Sequence, residues 1–168
     1  MRLLTNKINQ KTMKVKFKRL HKDAVIPSKK IEDDFCFDLT AVTEEEIAPN
    51  VWRYGFGFAL QIVNNMRIEP IKEYCSLCFS IRPRSSVWKT GMILSNCIGT
   101  IDEGYTGEIS AVFYHLFPNM PRYKVGDKIV QFHLEKSDNI MFIETDELNK
   151  TERGDNGYGS SDKNGMVL

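Results

Sequence analysis

Several things are missing from this 168-residue chain, and each absence narrows what it can be. No run of residues approaches the ~18 apolar positions of a membrane-spanning helix. The first residues also lack the apolar stretch of a secretory signal, so a cytoplasmic chain with no membrane partner is expected. Cysteine is scarce, at Cys36, Cys75, Cys78 and Cys97 alone, and in a reducing compartment these stay thiols. Cys75 and Cys78 form a lone CxxC without a second pair or a histidine cluster beside it. Two thiols in a strand fit that spacing better than a zinc site, which takes four ligands. An excess of charge is missing too: 23 Lys and Arg face 22 Asp and Glu, a net of +1. Nucleic-acid binding leaves a basic footprint over a whole domain. Here the basic residues of the first thirty positions are answered by Glu32, Asp33, Asp34 and Glu44 to Glu46, and no nucleic-acid partner is expected.

What is present is a series of short strand-like runs. Met13-Lys14-Val15-Lys16-Phe17-Lys18 alternates apolar residues with lysine, the period-two pattern of a half-buried strand whose lysines discourage edge-to-edge pairing. Residues 1–12 carry no hydrophobic pattern and read as an N-terminal extension. From Val51 onward, Trp52 to Ile62, Tyr74 to Ile81, Met92 to Ile98, Ile109 to Leu116, Lys128 to Leu134 and Ile140 to Ile143 recur between turn signals. That spacing predicts an all-β sandwich or barrel, and the length fits one domain. Only two stretches invite a helix. Thr43 to Glu46 opens on a capping residue and meets Pro49, and Ser85 to Thr90 ends at Gly91.

Five segments carry groups capable of chemistry. In Gly99-Thr100-Ile101-Asp102-Glu103-Gly104-Tyr105-Thr106-Gly107-Glu108 a carboxylate and an aromatic ring stand three residues apart, in what reads as a hairpin turn between two strands. Asp is also an ordinary turn residue, so a structural role is open alongside a catalytic one. Ile81 to Lys89 turns from strand to short helix at Arg84-Ser85-Ser86, where free backbone N–H groups, hydroxyls and a guanidinium fork suit an anion. Helix capping by Ser85 and a surface ion pair for Arg84 are the alternative. Phe35 to Ala41 sets Asp38 among apolar neighbours, as a metal or network ligand or a turn cap, and Gly126 to Phe132 sets Gln131 in an apolar strand. Arg153-Gly154-Asp155-Asn156-Gly157-Tyr158-Gly159-Ser160-Ser161-Asp162 has almost nothing apolar to anchor it. It reads as a mobile tail or as a segment that closes over a phosphate chain.

In order, spacing and residue type these five segments resemble the five motifs of the trimeric dUTPases, over roughly residues 13 to 162. The resemblance implies a jelly-roll-like β-barrel over residues 13–148, one short helix, and a tail, 149–168, that closes over the active site. It further implies a homotrimer with shared sites and Mg²⁺-dependent hydrolysis of dUTP to dUMP and pyrophosphate. That reaction limits uracil incorporation into DNA and supplies dUMP for thymidylate synthesis. On this resemblance Asp102 is the general base that orients the water attacking the α-phosphorus, Tyr105 excludes a ribose 2′-hydroxyl, and Asn96 reads the uracil edge. Arg84, Ser85, Ser86, Gln131, Arg153, Ser160 and Ser161 grip the triphosphate, with Gly159 in the same tail. Tyr158 lies over the base where relatives usually have Phe, and Asp38 stands near the metal, through water.

The chain departs from the pattern at Thr106, where many relatives have Arg or Gln, and at Asp162, which replaces a Thr-Gly close. The stretch between Thr43 and Tyr74 is longer than usual, with Met66, Arg67, Glu69, Pro70 and Lys72 expected in an extended loop. Two alternatives stand beside the hydrolase. Deoxycytidine triphosphate deaminases share the fold and an Arg-Ser-Ser segment, but they place a catalytic Glu where this chain reads Ala111-Val112-Phe113. A zinc-type deaminase lacks its His-x-Glu and Pro-Cys-x-x-Cys here. A nucleotide sensor that binds dUTP and signals through a partner is the other alternative, and retention of Asp102 argues against a dead enzyme.

Overall fold

Two-residue alternation builds nearly everything in this molecule. The computed structural model describes residues 13–63, 75–138 and 140–155. In chain order it runs β1 (Val15–Arg19), β2 (Phe37–Thr40), β3 (Thr43–Ala48), β4 (Val51–Gly55), β5 (Phe58–Ile62), β6 (Cys75–Pro83), a 3₁₀ turn (Ser85–Lys89), β7 (Met92–Leu94), β8 (Gly99–Asp102), β9 (Ser110–His115) and β10 (Lys128–Asp138). The strands form a two-stranded sheet, β1-β5, and two four-stranded sheets, β2-β10-β6-β8 and β3-β4-β9-β7. Their inner faces share one core, in which Tyr54, Phe56, Phe58 and Phe113 are fully buried. Each such side chain contributes about 1.5–3 kcal/mol from burial. The architecture is all-β and jelly-roll-like, but the described strands stay in three sheets and do not close into one barrel.

The lysine-alternating segment is β1 as expected, antiparallel to β5, with Phe17 opposite Leu60 and its ring 4.8 Å from that of Phe58. Other expectations fail for identifiable reasons. Thr43 to Glu46 is not a helix: Thr43–Ala48 pairs antiparallel with β4, and Asn50, at φ 61°, turns the chain after Pro49. Pairing to a neighbour outweighs local helix signals here, and Asn tolerates the left-handed turn. The run from Trp52 to Ile62 divides into β4 and β5, which belong to different sheets. The break is at Gly57, φ 70°, where an added Cβ would sit 2.6 Å from His21 Cβ and 2.7 Å from Val42 Cγ2; only glycine fits. Met92 to Ile98 ends its strand at Leu94, and Cys97, at φ 56°, lies in the turn before β8.

The Gly99–Glu108 segment is not a hairpin between paired strands. β8 pairs with β6, while β9 pairs with β4 and β7, so residues 103–109 cross from one four-stranded sheet to the other. Ile140 to Ile143 forms no strand, and its four side chains are exposed, Phe142 at 91%. Among the described residues no helix is long and apolar enough to cross a membrane.

The second four-stranded sheet is tied to the loop before β10 by charge. Arg122 donates to Glu44 Oε1 at 3.1 Å, lies 3.5 Å over the Trp52 ring, and has Lys124 as a companion 3.8 Å from the same carboxylate. The Arg122 hydrogen bond holds the Glu44 carboxyl below its ordinary value near 4.5. A depressed folded-state value stabilises the fold above the unfolded value and loses that stabilisation as pH falls through the folded one. Denaturant midpoints measured from pH 7 to pH 3 are therefore expected to decline less steeply below the ordinary glutamate range in Glu44→Gln than in the parent chain.

Candidate functional site

Between β8 and β9 lie two adjoining clefts. One, about 120 Å³, is lined by Ile81, Leu94, Ser95, Asn96, Thr100 and Ala111 among others. The second, about 160 Å³, is bounded by Thr100, Ile101, Asp102, Tyr105, Glu108 and Ser110. Thr100, Ile101 and Ser110 border both. Of the residues predicted from sequence, Asn96 borders the first cleft and Asp102 and Tyr105 border the second. The walls offer hydroxyls and an amide at the Asn96 end and a carboxylate beside an aromatic face at the other, the few convergent polar groups expected of a small-molecule site.

Local geometry explains how each group is presented. Asp102 ends β8 opposite Cys78 of β6 and is exposed; its carbonyl accepts the Tyr105 N–H at 3.0 Å, closing the turn. The Tyr105 hydroxyl donates to the Glu108 carbonyl at 3.0 Å. Its ring lies so close over Gly107 that an added Cβ would stand 2.5 Å from the hydroxyl oxygen. Asn96 projects from the turn at Gly99, where an added Cβ would lie 3.4 Å from its Nδ2.

A second group gathers at the far end of the β2-β10-β6-β8 sheet. Gln131 is registered opposite Asp38 on one side and Arg82 on the other, which puts all three on one face. Asp38 accepts from Arg84 Nε at 3.0 Å and from Lys128 Nζ at 3.1 Å, and Arg84 also donates to the Lys128 carbonyl at 3.2 Å. Arg84 precedes the 3₁₀ turn without a capping side chain, leaving Ser85 exposed and Ser86 half-buried beside it. Both Asp38 oxygens are thus held by cations, and among the described residues no cluster of three or more His, Cys, Asp or Glu could cage a metal.

Between the two groups the same face carries a network that composition did not reveal. Arg82 donates to Glu135 at 2.6 Å, and His133 Nε2 lies 3.0 Å from the same carboxylate. The Arg82 hydrogen bond, more than any other contact, pulls the Glu135 carboxyl below its ordinary range. The Cys36 sulfur lies 3.8 Å from His133 Nδ1. Burial pushes the Cys36 and Cys78 thiols up, so they are protonated packing groups rather than thiolates. The two functional groups do not meet within one chain. Asp102 and Gln131 lie two strands apart and four residue pairs along β6, about 16 Å at 4.8 Å per strand and 3.3 Å per residue. Lys128, Ser95, Thr100 and Glu108 were missed in the sequence; their partners come from strand pairing, which leaves no local signal. Arg153 is described and exposed, whereas Tyr158, Gly159, Ser160, Ser161 and Asp162, and the expected loop residues 66–72, lie outside the described residues.

Comparison with known proteins gives the family and the fold. A family model described as dUTPase matches residues 22–162. A deoxyuridine 5′-triphosphate nucleotidohydrolase of Helicobacter pylori is 31% identical over 153 residues, spanning 89% of this chain and 97% of that protein. One from Clostridium kluyveri is 33% identical over 151 residues, 89% of this chain and 98% of its own. Among solved structures, a dUTPase of Staphylococcus bacteriophage 80alpha with dUpNHpp superposes with a TM-score of 0.66 at 18% identity, covering 88% of this chain and 98% of that one. A dUTPase of phage phi11 of S. aureus, described with a structural Mg(II) ion, superposes at 0.59 and 15% identity, covering 82% of this chain and 99% of its own.

Proposed function

The chain belongs to the dUTPase family, and from that premise we propose that it hydrolyses dUTP to dUMP and pyrophosphate by in-line attack of water on the α-phosphorus. The observation that carries the proposal is the paired cleft bordered by Asn96, Asp102 and Tyr105. Uracil enters the cleft bordered by Asn96, where Asn96 and neighbouring backbone read its edge; a site built to hydrogen-bond one donor pattern rejects another by factors up to ~10⁴–10⁵. The deoxyribose rests on the Tyr105 ring, which leaves no room for a 2′-hydroxyl. Asp102 accepts a proton from the attacking water and orients it. Arg84, Ser85, Ser86 and Gln131 hold the triphosphate, and Arg153, Tyr158, Gly159, Ser160 and Ser161 close over it from the tail, residues 149–168. Closure excludes bulk water and completes the positioning. Residues 13–148 form the catalytic β domain and residues 1–12 an extension outside it.

Magnesium would be held through the substrate, near Asp38. It keeps most of its waters and binds largely through phosphate oxygens, so a carboxylate committed to Arg84 and Lys128, as Asp38 is, fits a water-mediated contact rather than a resident cage. When bound, the ion offsets triphosphate charge.

The working unit is a homotrimer with sites shared between copies. Two observations support this. Asp102 and Gln131, both assigned to the α-phosphate, are about 16 Å apart in one chain by strand spacing, well beyond contact with a single phosphorus. Ile140, Met141, Phe142 and Ile143 expose apolar surface that the described residues leave uncovered.

Three outcomes are expected. Asp102→Asn lowers kcat for pyrophosphate release by ~10²–10⁴ with KM changed little, because the loss falls on the transition state; an equal loss of dUTP affinity contradicts the general-base role. Asp102→Asn and Arg84→Ala, each inactive alone, regain activity when the two chains are unfolded and refolded together, and failure to complement contradicts shared sites. Truncation after Thr151 leaves oligomer mass and melting temperature intact while turnover collapses; full activity in the truncated chain contradicts the closing role of the tail.

A further inference from the structure

The Tyr105 ring needs a fixed height and tilt to refuse a 2′-hydroxyl, yet it stands on a crossing between sheets and is 46% exposed. Something other than burial must hold it. The hydroxyl is held by the Glu108 carbonyl, and the Glu108 side chain in turn reaches back, its Oε1 accepting the Gly57 N–H at 2.9 Å. The carboxylate lies directly over Gly55, where an added Cβ would stand 2.6 Å from Oε1. The chain thus keeps glycine at the seat of the carboxylate and at the left-handed residue that donates to it. Next to this contact, Phe56 donates to the Ile109 carbonyl at 3.1 Å and Ile109 donates to the Phe58 carbonyl at 3.0 Å.

From this geometry we propose that Glu108 is a positioning residue for sugar selectivity: its carboxylate clamps the Asp102–Glu108 crossing to the Gly55–Gly57 turn and so sets the Tyr105 ring. The proposal rests on the dUTPase reading for the identity of the sugar, but the clamp itself is a property of these residues alone. A carboxylate is not required as a charge, only as an acceptor of one N–H. Glutamine keeps that acceptor; alanine removes it, and aspartate withdraws it by one methylene. The two backbone bonds of Ile109 are independent of the side chain, so the variants keep the crossing closed at its far end.

The test compares pyrophosphate release from dUTP and UTP by Glu108→Ala, Glu108→Asp and Glu108→Gln, alongside hydrogen exchange at the Gly57 amide. In E108A and E108D the preference for dUTP over UTP is expected to fall about tenfold or more, within what one shape contact supplies, and the Gly57 amide to exchange faster. E108Q is expected to hold both near the parent values. Faster exchange with unchanged selectivity overturns the proposal, as does an equal loss of rate on both nucleotides in a variant with the parent melting temperature. Should E108A not fold, E108D decides by the same two readouts. A parent chain that releases no pyrophosphate overturns the hydrolase reading alone; selectivity is then read as calorimetric affinity for dUMP against UMP in the same variants. A parent chain that binds neither overturns both.

Discussion

Strand β6 is hydrogen-bonded along both edges, to β10 through nine residue pairs and to β8 through four. That double pairing is the constraint on which the rest depends. Because cross-strand partners share a face, one register fixes Phe79, Ile81, Phe132 and Ile101 toward the core and Cys78, Ser80, Arg82, Gln131, Glu135 and Asp102 on the opposite side. A slip of one residue would exchange the two sets, burying carboxylates and exposing rings. The apolar set thereby enforces the positions of the polar one, and stability and site geometry come from the same alternation.

The same register underlies the proposed sharing of the site between copies. β6 is long enough to carry one functional group toward Cys75 and another just past Pro83, and rigid enough that neither can approach the other. A strand cannot bend its two ends together without breaking the ladder, so the separation between Asp102 and Gln131 is as fixed as the sheet itself. On the proposed reading a second chain brings its phosphate-binding end to the first chain's cleft. The exposed apolar run at Ile140 to Ile143 is the kind of surface that makes such association favourable.

Much of this was legible in the residues, and what was not has a common cause. The lysine alternation of β1 is a local pattern, as is the strand-to-turn change at Pro83-Arg84-Ser85, and both emerged where expected. Asn96, Asp102 and Tyr105 lie within ten residues of one another, and they border two adjoining clefts. The failures concern pairing partners. Thr43 to Glu46 looks helical until β4 lies beside it, the Trp52 to Ile62 run looks continuous until Gly57 must clear His21 and Val42, and the Gly99–Glu108 turn looks like a hairpin because sequence cannot say that β8 and β9 belong to different sheets. Lys128 as a partner of Asp38, and Glu108 as an acceptor for Gly57, are likewise facts of topology.

The wall of the cleft beside Asn96 bears on which reaction a pocket of this shape can run. Ala111 and Val112 line it, and Ala111 is buried, opposite Tyr54 across the β4–β9 ladder. A deaminase of the same architecture needs a proton-transfer carboxylate in this stretch to activate water against the base. An alanine methyl cannot move a proton, and the buried apolar wall around it would penalise a charge placed there. Asp102 borders the neighbouring cleft with Tyr105 and Glu108, away from the Asn96 amide. On the proposed reading, a general base so placed faces the link between sugar and phosphate rather than the ring carbons, which favours phosphoryl hydrolysis over deamination.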